Sequence, residues 1–119
     1  QIAVNALLQN GGTSVLLTFS GADIVAGSLA DGSYALSLHG DKVHSAGETL
    51  ADSTLSFYRL FGDLDGNGAV DASDYAAMRA ANGSSAGGAH YVAALDYDGN
   101  GTIDSTDTTA FRLRYGHHL

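Results

Sequence analysis

Most of the acid in this sequence lies in two short windows. The first holds Asp63, Asp65, Asp71 and Asp74, and the second holds Asp96, Asp98, Asp104 and Asp107, together eight of the 13 acidic residues. The other five acids are matched in number by the five lysines and arginines, so the formal net charge of −8 belongs to the windows. Carboxylates crowded in this way destabilise a compact chain unless a cation neutralises them. Calcium takes six to eight hard oxygens at about 2.3–2.6 Å, and a twelve-residue loop supplies them from positions 1, 3, 5, 7, 9 and 12. In the first window these positions are Asp63, Asp65, Asn67, the Ala69 carbonyl, Asp71 and Asp74. In the second they are Asp96, Asp98, Asn100, the Thr102 carbonyl, Asp104 and Asp107. Position 6 must turn sharply, and Gly68 and Gly101 occupy it. Magnesium prefers fewer protein ligands in strict octahedral geometry. Softer metals call for sulfur or imidazole, which neither loop contains. The expectation is two calcium ions.

The windows are copies of one another. At an offset of 33, residues 63–83 match residues 96–116 at ten of 21 positions, including every aspartate of the first window. Turn preferences of Asp, Asn and Gly could produce one such loop. Two at a fixed offset argue for a duplicated binding unit. Between them runs Asn82-Gly83-Ser84-Ser85-Ala86-Gly87-Gly88, which reads as a small, flexible linker.

Elements must hold these loops in place. Helices are predicted to leave them over about 73–82 and 105–115, with Ser73 and Thr106 as caps and Gly83 and Gly116 as left-handed stops. No amphipathic helix precedes either loop, and position 12 is Asp where the standard EF-hand has Glu. Position 8 is Val70 or Ile103, suited to a short strand contact between the paired loops. Met78 and Phe111 read as core. Residues 1–60 read as β. Residues 15–19 and 34–39 alternate apolar and polar, and 2–8, 24–29 and 55–61 are weaker strands. Gly11-Gly12, Gly21 and Asp31-Gly32 mark turns, Asp31-Gly32 as a hairpin signal, and 43–50 reads as loop. The fold class is α+β, with a short β-sandwich-like half over 1–60 and a pair of calcium loop–helix (F-hand) motifs over 61–119.

A duplicated calcium loop with Asp at position 12, an exit helix and no entering helix resembles the dockerin family over about 61–116. The stretches Asp-Leu-Asp-Gly-Asn-Gly-Ala-Val-Asp-Ala-Ser-Asp and Asp-Tyr-Asp-Gly-Asn-Gly-Thr-Ile-Asp-Ser-Thr-Asp both fit its loop. The resemblance implies a non-catalytic module of a secreted bacterial protein that docks onto a cohesin-like domain. It also implies two partner faces: Ala72, Ser73, Arg79, Ala80 and Ser84, then Ser105, Thr106, Arg112, Leu113 and His117. The second is the better match to the family's pattern. More loosely, Phe19-Ser20-Gly21 and residues 32–38 resemble the closing strands of bacterial immunoglobulin-like modules.

Other chemistry has little support in the sequence. The acidic balance argues against nucleic acid and anionic membrane surfaces as partners, and no run reaches the roughly 18 apolar residues of a membrane span. The chain has no cysteine, which excludes disulfides and thiol chemistry. The histidines at 39, 44, 90, 117 and 118 form no triad by spacing, and His117-His118 reads as a tag remnant or a disordered tail. A start at Gln1 reads as a segment of a longer precursor with further domains upstream, or as a chain with its start omitted. A calcium-rigidified spacer without a docking partner is the alternative function. A catalytic β unit fused to the calcium module ranks third.

Overall fold

A computed structural model describes residues 2–45 and 47–119. The chain opens with an antiparallel hairpin of β1 (Ala3–Gln9) and β2 (Ser14–Ser20), registered Ala3 to Ser20 and Gln9 to Ser14. Its turn passes through Asn10, Gly11 and Gly12, all at positive φ. A tight pair follows, β3 (Ile24–Val25) and β4 (Ser28–Leu29). Next, β5 (Gly32–Leu38) runs antiparallel to β8 (Ser53–Arg59), with the two-residue pair β6 (His44–Ser45) and β7 (Glu48–Thr49) between them. Tyr34 and Phe57 are partners across the β5–β8 ladder, and their rings stack at 5.6 Å.

The strands over 15–19 and 34–39 form close to where alternation placed them, and the weaker expectations over 2–8 and 55–61 are met by β1 and β8. The stretch 24–29 divides into two short strands, and 43–50 carries a small strand pair in place of a loop, with Ala46 outside the described residues. Asp31-Gly32 makes no hairpin, because β5 starts at Gly32 and finds its partner far along the chain. Nor is a sandwich seen. Each sheet among the described residues has two strands, and Leu7, Leu8 and Leu55 are more than half exposed. A sandwich needs two apolar faces turned on each other, and alternation in single strands does not specify what covers them.

The core lies elsewhere. Leu60, Phe61, Val70, Met78, Ala81, Leu95, Ile103, Ala110 and Phe111 form one buried cluster around α1 (Ala72–Ala81) and α2 (Ser105–Arg112). Met78 and Phe111 are core, as their spacing suggested. The helix caps differ from expectation. Asp71 and Asp104 are the N-caps, each closing a reciprocal capping box with Asp74 or Asp107 three residues on. A carboxylate at this position takes the N2 and N3 backbone donors in the first turn of the helix, so Ser73 and Thr106 lie inside the helices and do not cap them. Gly83 and Gly116 follow the helices in the left-handed region, as expected.

The short strand contacts cross between the repeats. Val70 donates to the His117 carbonyl, Gly116 to the Val70 carbonyl and Leu119 to the Gly68 carbonyl. Ile103 donates to Ser84, Gly83 to Ile103 and Ala86 to Gly101 in the same pattern, shifted by the offset of 33. Each loop is thus paired with the segment that follows the other loop's helix, rather than with the other loop. The expected flexible linker and disordered tail are both strand partners, with bridges Ser85–Thr102 and Ala69–His118.

Candidate metal centre

Three carboxylates converge in each window. Ligand oxygens of Asp63, Asp65 and Asp74 lie within 4.8 Å of one another, and so do those of Asp96, Asp98 and Asp107. These are loop positions 1, 3 and 12. Two oxygens bound to one calcium at about 2.4 Å can be no more than roughly 4.8 Å apart, so the clusters have the right span. The position-12 side chains are almost wholly buried, 1% exposed for Asp74 and 0% for Asp107. Each is fixed by two backbone donors. Leu64 N and Asp71 N reach Asp74 at 2.8 and 2.9 Å, and Tyr97 N and Asp104 N both reach Asp107 at 2.7 Å.

Position 1 is held from two sides. Asp63 accepts from the backbone N–H groups of Gly66 and Gly68 at 2.8 and 2.9 Å, and from the Tyr58 hydroxyl at 2.8 Å. Asp96 accepts from Gly101 N at 2.8 Å and from the Tyr91 hydroxyl at 2.7 Å. These hydrogen bonds push both phenols above their ordinary pKa of 10.0. Partial burial pushes the Asp96 carboxyl up, but the Tyr91 hydroxyl and the backbone donors outweigh it and hold the group below its ordinary value. The ion pairs among the described residues lie elsewhere, at His39–Asp52, Lys42–Asp41 and Asp31 with two arginines. Both acidic clusters therefore lack a basic side chain, and their oxygen-only donor set fits a hard divalent cation.

Residues 61–111 match the family model described as the dockerin type I domain. This segment is a dockerin domain. Dockerin domains bind calcium, dock onto cohesin domains and are not themselves catalytic. No curated protein and no solved structure matches the chain.

Within the dockerin domain the twelve expected ligands divide by geometry. Positions 1, 3 and 12 converge. At position 9, Asp71 and Asp104 lie outside the carboxylate triads and accept from Ser73 N and Thr106 N at the starts of the helices. The Ser73 hydroxyl and N–H together hold the Asp71 carboxyl below its ordinary value. At position 5, Asn67 and Asn100 fold their side-chain oxygens onto the N–H groups of Ala69 and Thr102, both at 2.8 Å. The Ala69 and Thr102 backbones lie in the crossed bridges. Of the expected partner residues, Ala72, Ser73, Arg79 and Ala80 are exposed along α1 and Ser84 is half-buried. Ser105, Thr106, Arg112, Leu113 and His117 are exposed on and after α2. The two tyrosines are what sequence reasoning missed. Tyr58 and Tyr91 stand five residues before their loops at the same offset of 33, so extending the alignment backwards would have found them.

Proposed function

We propose that this chain is the docking part of a secreted bacterial protein. In this reading residues 61–119 bind two calcium ions and offer a helix face to a cohesin-like partner, while residues 1–60 form a β-rich unit beside them. The observation that carries it is the pair of matching carboxylate clusters inside the segment that matches the dockerin family. Positions 1, 3, 5, 9 and 12 of each loop supply side-chain oxygens, and Ala69 and Thr102 supply carbonyls. Ser105, Thr106, Arg112, Leu113 and His117 are the preferred docking face, with Ala72, Ser73, Arg79, Ala80 and Ser84 as its duplicate.

Thermal unfolding with calcium, with chelator and with magnesium tests the metal half of this reading. A ligand that binds only the folded state adds about 4 kcal/mol at a thousandfold excess over its Kd. Chelation should lower the melting temperature sharply, and calcium but not equal magnesium should restore it. An unchanged melt would remove the calcium reading. The partner half is tested by binding to an immobilised type I cohesin domain with calcium present. Capture that disappears on chelation supports docking. Calcium-dependent melting without capture would leave the spacer reading in its place.

A further inference from the structure

The corner between β4 and β5 is tied to the helical half by one side chain. Asp31 accepts from Phe61 N at 2.7 Å, pairs with Arg59 at 3.5 Å and takes a very short hydrogen bond from Arg114 Nε beyond α2. All three side chains are roughly three-quarters or more buried, at 25%, 27% and 20% exposure. Arg59 also donates to Ser28 Oγ at 3.1 Å, and Arg114 to the Ala110 carbonyl at 2.8 Å. The Arg114 guanidinium lies 5.0 Å from the Tyr97 ring and 5.5 Å from the Phe61 ring, and the two rings meet edge to face at 5.0 Å. An exposed ion pair is worth little. A carboxylate shared by a backbone N–H and two stacked guanidiniums is a partly desolvated, charge-assisted network and is worth more.

A second contact lies beside it. The β3–β4 turn passes through Ala26 at φ 47° and Gly27 at φ 79°. Ala26 pays the strain of a left-handed alanine, and its tip sits on the second loop, where a Cβ at Gly99 would come within 3.1 Å of Ala26 Cβ. The equivalent Gly66 of the first loop meets only the Tyr58 hydroxyl, at 3.9 Å. The strand-rich half therefore leans on the second repeat.

We infer that Asp31 is a clasp through which calcium in the second loop controls the order of the β5–β8 ladder. The path is short and rests on the calcium reading above. Tyr97 is loop position 2, and its N–H is fixed by Asp107. Its ring holds Arg114, Arg114 holds Asp31, and Asp31 is the residue before β5, while Arg59 ends β8. An emptied loop frees Tyr97, loosens Arg114 and leaves the open end of the ladder without its anchor.

Amide hydrogen exchange on the full chain, with calcium and with chelator, tests this beside a calorimetric calcium titration. In the wild type, chelation should speed exchange across Gly32–Leu38 and Ser53–Arg59 at least about tenfold, the equivalent of some 1.4 kcal/mol of opening free energy. In Asp31→Asn those amides should exchange fast in both conditions, while α1 and α2 stay protected by calcium. Arg114→Lys, which keeps the charge but loses the fork, should do the same. Unchanged wild-type ladder exchange despite measured calcium binding would overturn the clasp and leave the calcium reading intact. Absence of calcium binding would overturn both. Loss of helix protection in both variants with calcium present would also overturn the clasp, since Asp31 and Arg114 would then hold up the core itself.

Discussion

Asp107 has no exposed surface, and both its oxygens are taken by backbone N–H groups. On the proposed calcium reading, replacement by alanine removes a ligand, and it also strands two part-buried donors, each at a cost of up to about 1–3 kcal/mol. Asp107→Ala should therefore reduce calorimetric calcium stoichiometry from two to one and destabilise α2. Asp104→Ala should behave differently, losing a cap worth about 0.5–2 kcal/mol and the position-9 oxygen. Calcium at the second loop should then bind more weakly, while the triad of Asp96, Asp98 and Asp107 keeps the stoichiometry at two. Tyr58→Phe and Tyr91→Phe should each weaken calcium binding at their own loop by less than about tenfold, the range of one net hydrogen bond. Because both phenols titrate above their ordinary value, these bonds are fully present below pH 10 and are lost as pH rises through the shifted pKa. At this scale the sequence was highly legible for positions 1, 3 and 12, where spacing alone identifies the converging carboxylates. It was less so for Asp71 and Asp104, which also cap their helices, a role that loop spacing does not announce.

At the scale of elements, the crossed pairing distinguishes the two loops in an otherwise symmetric module. The first loop is braced by residues 116–119 and the second by residues 83–86. Removal of residues 117–119 should weaken calcium binding at the first loop only, visible as a biphasic titration with one site unchanged. Amide exchange at Val70 should rise in the same variant, because its N–H loses the His117 carbonyl. The β-branched pair Val70 and Ile103 signalled strand contacts correctly. Their partners were hidden because Gly83–Ala86 and Gly116–Leu119 carry no alternation and become strand partners only through the loops they meet. Strands β2 and β5 were legible from period-two patterning, and β8 more weakly. The long-range match of β5 with β8 was not, since no local turn announces it.

Across the whole molecule, the shape is long, with extents of 52 × 30 × 26 Å and a radius of gyration of 17.2 Å. A compact chain of this length would have about 13.5 Å. The β1–β2 hairpin leaves its leucines exposed, and the buried cluster is confined to residues 60–111. Small-angle scattering with calcium should give a radius near 17 Å, and chelation should raise it as the helical half loosens. Composition announced the division between strands and helices. It could not announce which half holds the core, because apolar residues are common in both and only packing decides which are covered. The exchanged strands also say something about ancestry. One repeat alone has a loop and a tail but no loop–tail pair of its own, while two copies satisfy each other reciprocally, as the halves of an isologous pair do. The helical half has the construction of a homodimer whose subunits were fused end to end, and residues 87–90 are the join.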